Sequence, residues 1–348
     1  MSESVHEIPT FAARGAGLTD GRPGAAVRPT AREWARHAAL FLLTALTTAW
    51  AGMSLLLGPD YVEPSPAAPA AALDYALYLP KYYVLALGAT ASYALAHPHY
   101  IYEGLKFAAA LLSILLAHES GHYVACRRYG VDATLPFFIP VPPPFLAGTL
   151  GAFIKIKSPI PSRRALFDIG VAGPLAGFVV IVPVACAALL TSAPAPPVPE
   201  GAVSLIFNDP PLLRLLAGPL GVRDLAGMAP NPFYFAAWIG LLVTSLNLMP
   251  VGQLDGGHAV YALLGRRVHG QAGRVAVVAV VALALLGWHY YGVPSGVLYA
   301  VLLLVMLRVP HPQPLDGRDP LGAARVCVAL ATLAVFLLSF LPFPLTIR

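Results

Sequence analysis

Charged residues are scarce in this chain, and their scarcity excludes most soluble folds. Only 11% of the 348 residues are Asp, Glu, Lys or Arg, whereas soluble domains carry about 25%. Hydrophobic residues make up 57% of the chain, which is more apolar surface than a soluble domain can bury. The composition therefore predicts a polytopic membrane protein built from α-helices.

Cysteine is also scarce, at three residues, and the basic residues do not form long runs. Cys126, Cys186 and Cys327 lie in apolar stretches and form neither a disulfide framework nor a Cys-x-x-Cys pattern. We interpret them as packing residues. Because the Lys and Arg residues lie in short loops, the net charge of +5 indicates orientation in a lipid bilayer rather than nucleic-acid binding.

The apolar stretches predict seven or eight membrane crossings. The chain divides into a disordered polar tail (1–37), amino-terminal membrane segments (38–104), a core (105–325) and a carboxy-terminal transmembrane helix (326–348). Spans are predicted at residues 38–57, 105–126, 170–193, 233–249, 274–291, 295–308 and 326–344. Arg127 and Arg128 place the end of the second span on the inner side. The apolar stretch 82–97 has two interpretations: either it is re-entrant, or the amino-terminal tail lies outside.

Three ionisable residues stand together in the apolar run of residues 105–126. They are His118, Glu119 and His122, in the sequence HESGH. Residues four apart share one face of a helix, so both imidazoles can bind one metal ion. Glu119 is angled off that face, where it can take a proton from a water on that metal. The alternatives are two core histidines with a stray glutamate, and an approach of Cys126 to the metal.

A second polar pattern, NLMPVGQLDGGH, occupies residues 247–258. Pro250 and Gly252 interrupt a helix at membrane depth, which is tolerated where the freed backbone lines a protein cavity. Asp255 follows this break without a cationic neighbour in sequence, so its carboxylate needs a partner, and a metal ion is the natural one. The alternative for Asp255 is a helix N-cap. His258 is either a rival ligand or a residue that packs behind the ligands.

A short strand or hairpin is predicted over residues 148–157. Five prolines between residues 136 and 144 exclude a helix before it. Near its end, Ile154 and Ile156 alternate with Lys155 and Lys157, which is the period of a strand. We expect this segment to dip toward the site, where an unpaired edge could hold an extended substrate by main-chain hydrogen bonds. An ordinary interfacial loop is the alternative.

Together these patterns resemble the site-2 protease family of intramembrane zinc metalloproteases. His-Glu-x-x-His on one span, here HESGH at 118–122, is followed by Asn-x-x-Pro-x-x-x-Leu-Asp-Gly on a later span, here NLMPVGQLDG at 247–256. The intervening GTLGAFIKIK and AGPLAG segments resemble the branch of that family without a PDZ domain. The resemblance covers roughly residues 100–325, and the glycines of GVAGPLAG indicate close helix packing.

The resemblance implies an all-α polytopic membrane protein, with seven or eight transmembrane helices and a short re-entrant β-strand or hairpin near the active site. One zinc ion per chain would be bound by His118, His122 and Asp255, with water in the fourth position. Glu119 would be the general base. The residues expected to contact substrate are Asn247, Gly148, Phe153 and Ile154.

The expected reaction is hydrolysis of a peptide bond within or next to a transmembrane segment of a membrane-anchored substrate. Without a PDZ module, substrate choice would depend on prior trimming by another protease or on a membrane partner. The expected location is the inner cell membrane, with the catalytic side facing the cytoplasm. The alternative function is a membrane metal-ion transporter or sensor, for which several ligand sets along a route are expected instead of one concentrated set.

Overall fold

The structure is a computed structural model that describes residues 28–58, 60–64, 74–142, 147–195, 205–294, 296–316 and 320–347. The helices of this part of the chain are α1 (Ala31–Leu55), α2 (Tyr75–Ala96), α3 (His99–Arg128), α4 (Arg163–Leu190), α5 (Pro211–Ala217), α6 (Pro232–Asn247), α7 (Asp255–Tyr291), α8 (Val297–Arg308) and α9 (Ala323–Ser339). The strands are β1 (Phe137–Pro140), β2 (Thr149–Phe153), β3 (Ala193–Pro194), β4 (Leu205–Phe207), β5 (Met228–Ala229) and β6 (Leu345–Ile347).

Four of the described helices, α1, α3, α4 and α7, are long and apolar enough to cross a membrane. The apolar helices α6, α8 and α9 are shorter, at 10–17 residues. The predicted helical membrane architecture is therefore confirmed, whereas the number of seven or eight crossings stays a prediction. The ambiguous stretch 82–97 falls almost entirely in α2, which belongs to neither set.

The first helix begins earlier than the apolar pattern predicts. Thr30 caps α1: its hydroxyl accepts from the Glu33 amide at 3.2 Å, and the Glu33 carboxylate accepts from the Thr30 amide at 2.8 Å. This reciprocal capping satisfies two amides that the first helical turn leaves unpaired. Residues 31–37 of the predicted polar tail are thus helical, and residues 1–27 lie outside the described residues.

The strand predicted over residues 148–157 is present as β2, and it forms a hairpin with β1, which lies in the proline-rich segment that was predicted only to be non-helical. β1 and β2 are antiparallel, with Phe137 opposite Phe153 and Phe138 opposite Ala152. β1 packs mainly against α1, and the Phe138 side chain is buried in the main core. The hairpin is therefore attached to the helical core rather than lying free at the membrane surface.

The third helix lies at the centre of the helical core. α3 packs against α4, α1 and α6. Its buried residues Phe107, Leu111 and Leu115 recur every four positions, which places them on one face of the helix. The same face continues into His118 and His122. Packing of the apolar residues against neighbouring helices therefore carries the two imidazoles into the protein interior.

A turn at residues 248–254 separates α6 from α7, where a break was predicted. Gly252 has φ +53°, a conformation that glycine adopts without strain. Gly256 packs directly against the Leu248 carbonyl, and a Cβ there would overlap it. α7 begins directly after the turn, at Asp255, which is well before the start of the predicted span 274–291. The helix is kinked at Gly265.

Two contacts between the carboxy-terminal end and distant parts of the chain were not predicted. β6 pairs antiparallel with β4, so that residues 345–347 lie beside residues 205–207. Arg325 of α9 donates to both carboxylate oxygens of Asp168 in α4, at 2.8 and 2.7 Å. Two parallel bonds between guanidinium and carboxylate fix the orientation of both groups, so this pair connects α9 to the helix beside α3.

Candidate metal centre

Two distant parts of the chain bring three ligand groups together. The His118 Nε2 lies 3.3 Å from one Asp255 carboxylate oxygen, and the His122 Nε2 lies 3.4 Å from the other. The two Nε2 atoms are 3.1 Å apart. Within the described residues, this is the one group of three or more His, Cys, Asp or Glu side chains that could hold a metal ion.

The spacing of these atoms fits a zinc ion. Zinc bonds to imidazole nitrogen and carboxylate oxygen measure about 2.0–2.1 Å, and tetrahedral geometry then places the ligand atoms about 3.3 Å apart. The two Nε2 atoms are 3.1 Å apart, and each lies 3.3 or 3.4 Å from a different Asp255 oxygen. With one oxygen taken from Asp255, the three ligand atoms lie within 4.8 Å of one another, close enough to surround one ion. Two neutral imidazoles and one carboxylate also form a donor set that zinc accepts, with one position left over.

A main-chain contact sets the tautomer of His122. Its Nδ1 lies 2.7 Å from the Ile169 carbonyl oxygen. Since a carbonyl oxygen only accepts, Nδ1 must carry the proton, which leaves the lone pair on Nε2 for a metal. α4 therefore orients the second ligand of α3.

Glu119 is buried beside the ligands but outside their triad. Its side chain is 6% exposed, and the Ile154 amide, just past β2, lies near its carboxylate. The segment that was predicted to approach the site therefore passes beside the glutamate. Asn247, at the end of α6, places its amide nitrogen 3.4 Å from the His118 Nε2.

A cavity of about 710 Å³ opens over the metal ligands. Its wall includes Glu119, Asn247, Phe153 and Ile154, so most of the predicted site residues share one space. Gly148 does not line it. Its carbonyl accepts from the Thr47 hydroxyl at 2.7 Å, and it packs against α1 with φ +65°.

The position of Gly148 gives it a packing role. A Cβ at this residue would overlap the Thr47 carbonyl, and a side chain with this φ would be strained. Glycine is therefore required for the approach of the hairpin to α1, and contact of Gly148 with a substrate stays a prediction. The other predicted substrate contacts, Asn247, Phe153 and Ile154, remain at the cavity.

His258 and Cys126, the two alternative metal ligands, do not belong to the triad. His258 lines the cavity, but its Nδ1 is 2.8 Å from the Nε2 of His311. Burial, and then the neighbouring His258, lowers the pKa of His311 to about 3, so His311 is neutral. Cys126 is buried in an apolar cluster with Val131, Phe167 and others, as expected for a packing residue.

The glycines of α4 determine how closely it approaches the metal ligands. A Cβ on Gly173 would overlap the Nε2 of His122, whereas a Cβ on Gly177 would lie 3.2 Å from the His118 Cβ. Gly173 therefore leaves room for the metal-binding atom itself. The sequence indicated close packing at these glycines. The structure adds that, at Gly173, a side chain would collide with the His122 ring.

We predict that Gly173→Ala lowers the affinity for zinc on the order of 10- to 100-fold, the effect typical of disturbing groups that orient a ligand. The new methyl group would displace the His122 ring from its position. The measurement is zinc affinity of the purified protein by competition with a chromogenic chelator.

Gly177→Ala is the matched control, because it adds the same methyl group one helical turn away at a contact that a small shift can relieve. It should change zinc affinity by much less than Gly173→Ala. Equal zinc affinity in both variants and the wild type would contradict the role assigned to Gly173.

The region that contains the three candidate metal ligands matches a known protein family. The family model of Peptidase family M50 matches residues 106–287. The chain is similar to "Probable zinc metalloprotease EGY1, chloroplastic" of Oryza sativa subsp. japonica, with 31% identity over 252 residues, 70% of this chain and 41% of the relative. The Arabidopsis thaliana protein of the same name is also 31% identical over 252 residues, 70% of this chain and 44% of the relative.

A more distant relative is "Probable zinc metalloprotease EGY2, chloroplastic" of Arabidopsis thaliana, with 27% identity over 246 residues, 70% of this chain and 42% of the relative. The chain thus spans less than half the length of these curated relatives. No solved structure gives a significant match.

Proposed function

This chain belongs to peptidase family M50, and from that membership we propose that it is an intramembrane zinc metalloprotease. It hydrolyses a peptide bond within or next to a transmembrane segment of a membrane-anchored substrate. The observation that carries the proposal is the meeting of His118, His122 and Asp255, with Glu119 beside them in the same cavity.

The roles of the residues follow from their positions. His118, His122 and Asp255 would hold a zinc ion and would leave a fourth position for water. Zinc, when bound, would act as a Lewis acid and lower the pKa of a coordinated water to about 7. Glu119 accepts the proton of the attacking water and returns it to the leaving amine. The Ile154 amide lies near the Glu119 carboxylate.

The hairpin presents the substrate in extended form. A helical segment shields its own carbonyls by intrahelical hydrogen bonds, so a transmembrane substrate must unwind before cleavage. The segment after β2 passes directly beside Glu119, and a strand edge can bind an extended peptide by main-chain hydrogen bonds. Asn247 lies close enough to His118 to contact the scissile carbonyl or the substrate backbone.

The surroundings of the protein follow from its apolar helices. Substrate and lipid bilayer are its immediate partners, and a substrate-presenting or regulatory membrane protein is a further one. Arg127 and Arg128 end α3 close to the metal ligands, which favours a catalytic side facing the cytoplasm under the positive-inside tendency. The relatives are named chloroplastic, and the charge argument concerns orientation only, so the inner cell membrane stays a prediction.

A metal transporter or sensor is the competing function. A transport route needs successive ligand sets, whereas the described residues contain one group that could hold a metal. The buried glutamate between the two histidines also has no role in transport. These observations favour the protease.

Zinc analysis combined with a cleavage assay tests the proposal. We expect the purified protein to carry one zinc per chain and to cleave a synthetic transmembrane peptide in detergent or liposomes. A chelator should abolish cleavage, and added zinc should restore it. Cleavage that continues unchanged in the zinc-free protein would contradict the proposal, as would zinc-dependent ion flux without any cleavage.

A further inference from the structure

Among the described residues, one edge of the segment that continues β2 is paired by main-chain hydrogen bonds, and the other, the open edge, lies beside Glu119. The Lys155 carbonyl accepts from the Thr134 amide at 3.0 Å, and the Lys157 amide donates to the Asp132 carbonyl at 2.7 Å. Backbone groups of successive residues in a strand point to opposite edges. Ile154 and Ile156 therefore direct theirs to the open edge, where the Ile154 amide lies near the Glu119 carboxylate.

The two faces of this segment differ in chemistry. Ile154 and Ile156 pack against an apolar cluster that includes Ala133 and Ile160. Phe153 and Lys155 are exposed on the opposite face, and both line the cavity over the metal ligands. A peptide added along the open edge would place alternate side chains beside these two residues.

The positive charge of Lys155 is placed where it can attract an acidic side chain of such a peptide. Among the described residues that line the cavity, it is the single Lys or Arg, and no described residue bonds to its ammonium group. Lys157, two positions further along the same face, lies 3.9 Å from Glu33 of α1 and does not line the cavity. Of the two acidic residues that line the cavity, Asp255 contacts the two histidines, and Glu119 is buried beside the Ile154 amide.

We propose that Lys155 and Phe153 determine substrate specificity. In the bound substrate, an acidic residue of the extended segment lies beside Lys155, and a large apolar residue two positions away lies beside Phe153. The proposal rests on the proteolytic function above and names a substrate class for it. Opposite charges on neighbouring strands attract, whereas like charges repel. The preferred substrates are therefore membrane proteins with an acidic and an apolar side chain at this spacing next to the cleaved bond.

A position scan tests this specificity. Synthetic transmembrane peptides carry Asp, Asn or Lys at each successive position of one neutral extended segment, and kcat/KM is measured for each. In the wild type, we expect one position at which Asp is cleaved about twofold to fivefold faster than Asn, the size of an exposed ion pair, and Lys is cleaved more slowly. A large apolar residue should be favoured two positions from it.

Substitutions at Lys155 and Lys157 distinguish a specific effect of Lys155 from a general effect of positive charge on this segment. Lys155→Gln should remove the preference for Asp, and Lys155→Glu should reverse it to favour Lys. Lys157→Gln, the matched control, should retain the wild-type preference. Zinc content and the thermal unfolding transition show that each variant is folded.

Three outcomes would overturn the proposal. The Asp preference could be absent at every position, it could persist in Lys155→Glu, or Lys155→Gln could slow all peptides equally, as expected for contact with a lipid headgroup. If the wild type cleaves neutral peptides without any charge preference, the protease function stands and the role of Lys155 fails. If it cleaves none of the peptides, both fail together.

Discussion

Replacing Glu119 by Gln should lower the rate of peptide cleavage at least about a hundredfold and leave zinc bound at one ion per chain. General acid–base groups contribute about 10²–10⁴-fold to a reaction. Among the described residues that line the cavity, the buried Glu119 carboxylate is the one acidic group that is not needed as a ligand. Gln fills the same volume but cannot accept the proton of water. Zinc content and kcat on one synthetic transmembrane peptide are the two measurements.

The matched control is Glu103→Gln on the same helix. Glu103 lies in the first part of α3 and pairs with Lys106 at 2.7 Å on an exposed surface. Exposed pairs of this kind contribute about 0–1 kcal/mol to stability, so this variant should keep both zinc and activity. Wild-type cleavage by Glu119→Gln would remove Glu119 from the mechanism, and loss of its zinc would instead make it a ligand.

Replacing Asp255 by Ala should lower zinc affinity by more than about 100-fold, since altering groups that merely orient a ligand already costs about 10–100-fold. Its two carboxylate oxygens lie within 3.4 Å of the two Nε2 atoms, so the substitution removes the single anionic ligand and leaves two imidazoles. Cleavage should disappear with the zinc. The variant is dialysed against a weak chelator before metal analysis.

His258→Gln tests the rival ligand and controls for general disturbance of α7. His258 lies in the first turn of the same helix and contacts His311 instead of the triad. This variant should retain one zinc per chain. Full zinc occupancy in Asp255→Ala, or loss of zinc in His258→Gln, would contradict the assignment of the third ligand.

Local pattern predicted much of the site. The spacing of His118 and His122 follows from helix periodicity alone, and the structure places them on one buried face. The break at residues 248–254 was predicted from Pro250 and Gly252, because both residues restrict or release the backbone locally. The alternation of residues 154–157 likewise anticipated which face of that segment packs inward.

Contacts made by the main chain could not be predicted from the sequence. The Ile169 carbonyl that orients His122 and the Ile154 amide near Glu119 belong to apolar residues without a chemical signature. Such groups reach the site through the packing of α4 and the hairpin against α3. The contact between Gly148 and Thr47 was likewise not predicted, because it depends on how closely the hairpin approaches α1.

The sequence by itself determined the expectation of a membrane setting, the metal-binding residue types and the residues proposed to carry the chemistry, because composition and short-range periodicity are properties of neighbouring residues. Only the tertiary structure decided that Asp255 reaches the two histidines, that Gly173 makes room for one of them, and that Lys157 lies beside Glu33 while the Lys155 ammonium has no bonded partner among the described residues. Each of these depends on how closely separate helices and strands approach, and that distance is set by side-chain packing across the whole core.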